Sequence, residues 1–118
     1  MAKVSAKKQD ENTEARGVKY DGGKVRHSLL PKGALNEVLE VLEMGAQKYA
    51  ADNWKHVDNP QERYYNAMQR HIDSWWNDEV IDSESKRHHL AHAICCAMFL
   101  IWFDSHANDQ KLPVKANW

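Results

Sequence analysis

The stretch "HHLAHAICCAMFLIWFDSH", residues 88–106, carries the longest run of apolar side chains in the chain. Apolar residues spaced three and four apart predict an amphipathic helix over about residues 84–106. Asp82 or Ser83 has the chemistry to cap its amino terminus. The side chains expected to face the core are Leu90, Ala93, Ile94, Ala97, Met98 and Ile101.

Two earlier segments have the same helical spacing. Pro31 suits the first turn of a helix over about residues 32–50, and Asn59-Pro60 supplies a cap and a first helical residue for a second one. The core-facing residues expected in the first of these helices are Leu35, Val38, Leu39, Leu42, Ala46 and Tyr49. Those expected in the second are Tyr64, Ala67, Met68, His71, Ile72 and Trp75.

Three long helices with short connections, and no alternating run long enough for a strand, predict an all-α bundle. Three helices leave apolar surface uncovered, so we expect a homodimer or homotetramer to complete the bundle. The 118 residues fit one domain. We expect a mobile polar tail over residues 1–17, a folded domain over 18–107 with an ordered arm at 18–30, and a polar tail over 108–118.

The composition argues against several classes of protein. Lys and Arg total 16 against 17 Asp and Glu, a formal net charge of -1, which gives no support for a general nucleic-acid or membrane binder. No apolar run approaches the ~20 residues that span a bilayer, and the polar start lacks the apolar region of a secretory signal. Cys95 and Cys96 diverge on a helix, so we expect buried free thiols in a cytoplasmic protein.

Two acidic pairs are candidate cation ligands. Glu37 and Glu40, followed by Glu43, lie three residues apart and therefore on one face of the first helix. Carboxylates at this spacing hold hard cations such as Mg²⁺ or Mn²⁺, although a solvated acidic face has the same pattern. Glu79 and Asp82 form the second pair, for which capping of the third helix is the structural alternative.

Imidazoles are concentrated at the start of the third helix. His89 and His92 share one face there, at a spacing suited to a metal, to proton transfer or to phosphate contact. With His88 these are three imidazoles in five residues, and His71, preceded by Arg70, adds a fourth on the second helix. A purely structural histidine is the alternative at each position.

Cations and aromatic rings flank the first helix. Lys24 and Arg26 follow a Gly-Gly pair, so they could approach a phosphate chain, with an ordinary surface turn as the alternative. After the helix, an aromatic ring could stack on a base and an amide could bind a base edge, with core packing as the alternative. The residues concerned are Lys48, Tyr49, Asn53 and Trp54.

Three segments, taken in their order along the chain, resemble the phage dATP/dGTP diphosphohydrolases. They are residues 19–54, "RHIDSWWNDEVIDSES" at 70–85 and "HLAHA" at 89–93. That family is similar to the MazG-like all-α nucleoside triphosphate pyrophosphatases, and the resemblance covers residues 19–103. It implies a MazG-like helical bundle that hydrolyses dGTP or dATP, with Mg²⁺ or Mn²⁺, to the monophosphate and pyrophosphate. It further implies a role in remodelling the phage nucleotide pool, in the host cytoplasm, as a homodimer or homotetramer.

The resemblance carries over to particular residues. The MazG-like E-x-x-E matches Glu37 and Glu40, and the later E-x-x-D matches Glu79 and Asp82 by letter. The helix with the matching apolar tail has His89 and His92 at that spacing, so the second ligand pair stays open between the two. The metal ligands implied are Glu37, Glu40, Glu79 and Asp82, and the catalytic residues implied are Glu37, Glu40, His89 and His92. From their own chemistry, the residues expected to contact the substrate are Lys24, Arg26, Lys48, Tyr49, Asn53, Trp54, Arg70 and His71.

Two other functions remain as rivals. A non-catalytic nucleotide-binding or host-inhibitor protein on the same scaffold would bind without turnover. A His-Asp metal phosphohydrolase is disfavoured, because its His-Asp doublet is missing and the nearest string is His71-Ile72-Asp73.

Overall fold

The computed structural model describes residues 16–106. Within that range lie three α-helices, α1 (Lys32–Lys48), α2 (Pro60–Trp76) and α3 (His89–Ser105), with 3₁₀ turns at His27–Leu29 and Asn53–His56. The described residues form no strand, only an isolated antiparallel bridge between Ile81 and His88. The all-α prediction is therefore confirmed. The predicted tail at 108–118 and residues 1–15 of the other tail lie outside the described residues.

Helix α3 is the centre of the fold, because it packs against both other helices and most extensively against α2. Tyr64, early in α2, contacts Phe99 and Phe103, late in α3. His71, a few turns further along α2, lies against His89 at the start of α3. The two helices therefore run antiparallel. No described helix is long and apolar enough to cross a membrane.

The core joins α1 to α3 through small and branched side chains. Val38 and Val41 are buried against Ala91 and Cys95, and the Cys95 thiol donates to the Val38 carbonyl at 3.7 Å. Both cysteines are buried free thiols, as predicted. Burial raises the pKa of the Cys95 thiol to about 12, so it stays protonated and packs as a small apolar side chain.

The predicted core face of α3 is partly wrong. Ile94, Met98 and Ile101 point outward, and Ile101 is 67% exposed, whereas Cys96 and Phe103 are buried. The physical reason is that α3 is apolar on nearly every side, so its sequence period does not single out one face. Aromatic partners on α2 and in the α1–α2 connection select the buried side.

The predicted start of α3 at about residue 84 is also wrong, because the helix begins at His89. The preceding backbone forms a short antiparallel hairpin with a turn at residues 83–85, closed by bonds from His89 N to Val80 O and from Asp82 N to Arg87 O, both 2.8 Å. Asp82 does not cap α3; its carboxylate accepts from Ser85 N at 3.2 Å within a turn. His88 caps the helix instead, its Nδ1 accepting from Leu90 N at 3.0 Å.

The other helix starts follow the sequence more closely. Pro60 is the first residue of α2, as predicted, but Asn59 makes no capping bond and donates instead to the Glu62 side chain at 3.2 Å. Before α1, the predicted arm has a turn at Gly23, whose φ of 85° is a left-handed value that suits glycine. The arm thus has defined local structure without a long helix.

Candidate functional site

A large open cleft separates α1 from α2, with α3 as its floor. Its volume is about 1340 Å³, and its floor is formed by His92, Cys95, Cys96 and Phe99. The connection after α1 closes one end of the cleft, and the loop that contains Asp82 and Ser85 closes the other. We call these the aromatic end and the acid–imidazole end.

At the acid–imidazole end, three histidines from two helices are in contact. His71 Nδ1 and His89 Nδ1 are hydrogen-bonded at 2.8 Å. The His71 ring also stacks on His92, with centroids 4.4 Å apart and planes 7° from parallel. His71 and His92 line the cleft, whereas His89 is only 4% exposed and lies behind them.

Polar groups from the loop before α3 surround these imidazoles. Ser85 Oγ and His92 Nε2 are hydrogen-bonded at 2.7 Å, and Asp82 Oδ2 lies 3.7 Å from the same nitrogen. Glu79 Oε2 approaches His89 Nε2 to 3.4 Å, but that nitrogen has no hydrogen bond of acceptable geometry. Glu79 and His89 are therefore close neighbours that share no hydrogen bond.

The surroundings set the protonation of these groups. Burial, reinforced by the neighbouring imidazoles of His92 and His89, lowers the pKa of His71 to about 4. Burial likewise lowers the pKa of His92, and Asp82 only partly offsets it. Burial alone would raise the pKa of Asp82, but hydrogen bonds from Ser85 and Glu84 outweigh it and lower that pKa. At neutral pH, His71 and His92 are therefore neutral and lie at the same end of the cleft as the ionised carboxylate of Asp82.

The aromatic end is built by packing between rings. Trp54 stacks on Phe99 with centroids 4.5 Å apart, and the ring of Trp102 meets it edge-on at 5.2 Å. The Tyr64 hydroxyl donates to the Trp54 carbonyl at 2.9 Å. Trp54 is thus engaged with the protein's own rings. Tyr49, which is 63% exposed, has a ring with free surface at this end.

Positive charge lies along both walls of the cleft. Lys48 comes from α1, and Arg63 and Arg70 come from α2. The Lys48 ammonium lies 5.2 Å from the centroid of the Tyr49 ring, within range for a cation–π contact. A polyanion that carries an aromatic group therefore meets matching chemistry along the length of the cleft.

Comparison with known proteins agrees with this chemistry. A protein-family profile described as dATP/dGTP diphosphohydrolase, N-terminal, matches residues 14–112. The chain belongs to this family. It is also 37% identical over 86 residues to a protein of Salmonella phage PMBT28 named dATP/dGTP diphosphohydrolase. That alignment covers 73% of this chain but 29% of the relative, so the chain spans under a third of the relative's length. No solved structure matches the chain.

The family assignment made from the sequence is thus confirmed, and the structure places most of the predicted substrate contacts together. The cleft is lined by Lys48, Tyr49, Asn53, Trp54, Arg70 and His71, and also by the predicted residues Asp82 and His92. His89 and Glu79 lie outside its lining. Lys24 and Arg26 also lie outside it, in the exposed arm.

The four predicted metal ligands do not form one cluster among the described residues. Among residues 16–106, no three His, Cys, Asp or Glu side chains are grouped so that they could hold a metal ion. Glu40 forms an ion pair with Arg87 at 3.4 Å, with both side chains well exposed. Glu79 and Asp82 instead contact the imidazoles of His89 and His92.

Several cleft residues were missed in the sequence. The sequence predicts that Ser85 lies in the third helix, but α3 begins at His89. Ser85 is instead in the preceding loop, where it contacts His92. Arg63 and Asn66 lie on the cleft side of α2, three residues apart and next to residues expected in the core. Two polar side chains three residues apart on one side of a helix indicate that this side of α2 does not pack against another helix.

Proposed function

We propose that this chain hydrolyses a deoxypurine nucleoside triphosphate, dGTP or dATP, to the monophosphate and pyrophosphate. The observation that carries the proposal is the acid–imidazole end, where neutral His71 and His92 meet ionised Asp82 in a cleft with cationic walls. Family membership and the name of the phage relative support the same reaction class.

The substrate lies along the cleft in this proposal. Tyr49 packs on the purine, and Asn53 binds its edge. The phosphates extend toward Arg70 and His71, with Lys48 neutralising part of their charge. In this orientation the α-phosphorus lies near the imidazoles, because the base occupies the aromatic end and the phosphates extend toward the acid–imidazole end.

Glu37 and Glu40 are the proposed holders of Mg²⁺ or Mn²⁺. Mg²⁺ commonly takes one or two carboxylates and completes its shell with water and substrate phosphates, so two glutamates on one face of α1 fit it. Neither glutamate lines the cleft of a single chain, but the ion pair with Arg87 ties Glu40 to the segment that follows the loop at the acid–imidazole end. When bound, the cation supplies charge neutralisation and a lower pKa for water.

The chain's own residues manage the proton and the leaving group. Water attacks the α-phosphorus, a P–O bond to pyrophosphate breaks, and the water's proton goes to His92 or to Glu40. His92 suits this task because its lowered pKa keeps it neutral and able to accept. Ser85 holds the ring in place, while Arg70 stabilises the charge on the departing pyrophosphate.

Chromatography of the products from a panel of dNTPs and NTPs, with Mg²⁺, with Mn²⁺ and with chelator, tests the reaction. Metal-dependent dNMP plus pyrophosphate is expected, and the panel identifies the base. Release of phosphate or of triphosphate would contradict the reaction. Glu37→Gln should remove most turnover without loss of fold. Glu43→Gln is the matched control, because Glu43 lies nearly two turns further along α1 and contacts Gln47. Full activity of Glu37→Gln would exclude the ligand assignment.

In the rival proposal, the chain is a nucleotide-binding or host-inhibitor protein that binds a nucleotide without hydrolysing it. It is favoured by one observation, that the two predicted carboxylate pairs are not grouped in the described residues. Calorimetric binding of dGTP or dATP, with no product after long incubation at any metal concentration, would establish it.

We further propose that a second copy covers the outer side of α3. Ile94, Met98 and Ile101 form an exposed stripe at helical spacing, and residues 93–103 of α3 carry no charge. A helix that is apolar all round is normally buried, and an identical helix offers the same stripe across a twofold axis. Light scattering should show a dimer or tetramer that Met98→Lys dissociates and Tyr65→Lys, on exposed α2 surface, does not.

A further inference from the structure

His89, the first residue of α3, lies behind the cleft with a side chain of the protein on each side of its ring. The residue is only 4% exposed. Its Nδ1 is hydrogen-bonded to His71 Nδ1 at 2.8 Å. Its Nε2 lies 3.4 Å from Glu79 Oε2 and has no hydrogen bond of acceptable geometry. His89 therefore connects a carboxylate outside the cleft lining to an imidazole that lines the cleft.

The backbone fixes this row of three side chains. Glu79 N donates to Ser74 O at 2.9 Å, so the chain after α2 stays close to the end of that helix. His89 N donates to Val80 O at 2.8 Å, which holds the residue after Glu79 against the first turn of α3. His71 lies on α2 itself. Side chains supported by helices in this way hold their geometry more precisely than side chains on loops.

The hydrogen bond between the two Nδ1 atoms can run in only two directions. A neutral imidazole donates from one nitrogen and accepts at the other. Burial lowers the pKa of His71 to about 4, so its ring is neutral at neutral pH. His89 also carries a single ring proton, because a buried charge without a hydrogen-bonded partner is costly. One ring therefore donates from Nδ1, and the other accepts at Nδ1.

The carboxylate of Glu79 distinguishes the two directions. An ionised carboxylate has lone pairs and no proton to donate, so it repels a lone pair on His89 Nε2 and attracts a proton there. The proton of His89 therefore lies on Nε2, and its Nδ1 accepts. His71 then donates from Nδ1, and its Nε2 keeps a lone pair.

The position of the proton on His71 decides what a ligand meets in the cleft. Because Nδ1 points to buried His89 and the ring lines the cleft, Nε2 is the nitrogen left for a group in the cleft. A protonated Nε2 would donate to a phosphate oxygen, whereas a lone pair accepts from a water molecule. The ring of His92 stacks on that of His71, so a water molecule held by His71 lies next to His92.

We propose that Glu79 and His89 are positioning residues that hold the ring proton of His71 on Nδ1, so that His71 Nε2 accepts a hydrogen bond from the attacking water. This inference rests on the proposed function, since that water is the one that attacks the α-phosphorus. His71 orients the water, and the proton that the water loses goes to His92 or to Glu40. Glu79 and His89 act only through His71, as the carboxylate behind a catalytic imidazole does.

Nitrogen-15 NMR of the histidine rings tests the arrangement without any measurement of activity. The chemical shifts of the two nitrogens of a ring distinguish the protonated one from the bare one, and variants that lack His71 or His89 assign the signals. In wild-type protein at neutral pH, with chelator present, His71 should be protonated on Nδ1 and His89 on Nε2. A His71 ring protonated on Nε2, or a His89 ring protonated on both nitrogens, would overturn the proposal.

Reversing the charge next to His89 tests the control that Glu79 exerts. In Glu79→Lys an ammonium replaces the half-exposed carboxylate, so a lone pair on His89 Nε2 is favoured and the proton of His71 moves to Nε2. We expect kcat to fall about 10–100-fold with KM nearly unchanged. Asp73→Lys makes the same change of charge at an exposed acid of α2, and should keep the wild-type ring protons and kcat.

The two readouts together separate this role from others. A lower kcat for Glu79→Lys with unchanged ring protons would contradict the proposal and indicate a direct role for Glu79, such as holding a cation. Moved ring protons with full kcat would contradict it as well, because the lone pair of His71 would then not be needed. If wild-type protein turns over no nucleotide but Glu79→Lys moves the ring protons, the proposed function fails while the control of His71 by Glu79 and His89 stands.

Discussion

The two ends of the cleft are held by different forces. The acid–imidazole end is fixed by hydrogen bonds between a loop and two helices, such as the 2.7 Å bond between Ser85 and His92. The aromatic end is fixed by ring packing around Phe99 and Trp54. Polar bonds orient groups but contribute little net stability, whereas buried rings contribute much. Substitutions at the first end should therefore affect turnover, and those at the second should affect folding.

The largest expected effect is on turnover at the acid–imidazole end. His92→Gln removes the proposed proton acceptor and should lower kcat by about 10²–10⁴-fold, while the free energy of unfolding falls by less than about 2 kcal/mol. Steady-state kinetics and urea unfolding measure the two quantities. His56→Gln, at an exposed histidine outside the cluster, should change neither. An inactive His92 variant that is also grossly unfolded would break the contrast between the two ends.

Next is the stability of the aromatic end. Phe103 is 1% exposed and contacts Trp54, Tyr64 and Trp102. Phe103→Ala should lower the free energy of unfolding by about 3–5 kcal/mol, since it leaves a cavity among these rings. Denaturant unfolding measures the loss. Tyr65→Ala, at an exposed aromatic on α2, should cost under about 1 kcal/mol, and equal losses would show that ring packing is not what holds this end.

A pH effect should distinguish the ends as well. The pKa of His71 falls from 6.5 in the unfolded chain to about 4 in the folded one, so the unfolded chain binds more protons between these values. Stability is therefore full near neutral pH and decreases as the pH falls through 6.5 toward 4. His71→Gln should remove about 1 kcal/mol of that decrease, a discounted value for a part-buried ring. Thermal unfolding at pH 7 and pH 5 checks it, and His56→Gln should keep the wild-type decrease.

The smallest expected effect is on substrate affinity at the aromatic end. Tyr49→Ala should raise KM by about 3–10-fold with kcat nearly unchanged, because an exposed stacking contact contributes about 1 kcal/mol. Tyr49→Phe should retain the wild-type KM, since the ring carries the contact. A large fall in kcat for Tyr49→Ala would place the reacting atoms, rather than the base, at this end of the cleft.

The sequence by itself determined the number and type of the helices, because helical spacing and the Asn59-Pro60 start are local properties. It also identified the family, since the order of motifs from Lys19 to Ala93 is a property of the chain. Part of the cleft lining was recognised too, because residues such as Tyr49 and His71 differ in chemistry from their neighbours. These features need no knowledge of how the helices pack.

Only the tertiary structure decided the direction of α3 and which residues each side chain contacts. Ile94 and Cys95 are both apolar neighbours on one helix, and only the packing of Val38 and Val41 of α1 determines which of them is buried. The short hairpin that pairs residues 80–82 with residues 87–89 depends on backbone bonds between its two sides, such as that from His89 N to Val80 O. That pairing overrode helix propensity, released Asp82 from capping, and brought Ser85 to His92. Periodicity cannot predict such a result, because it describes one element at a time.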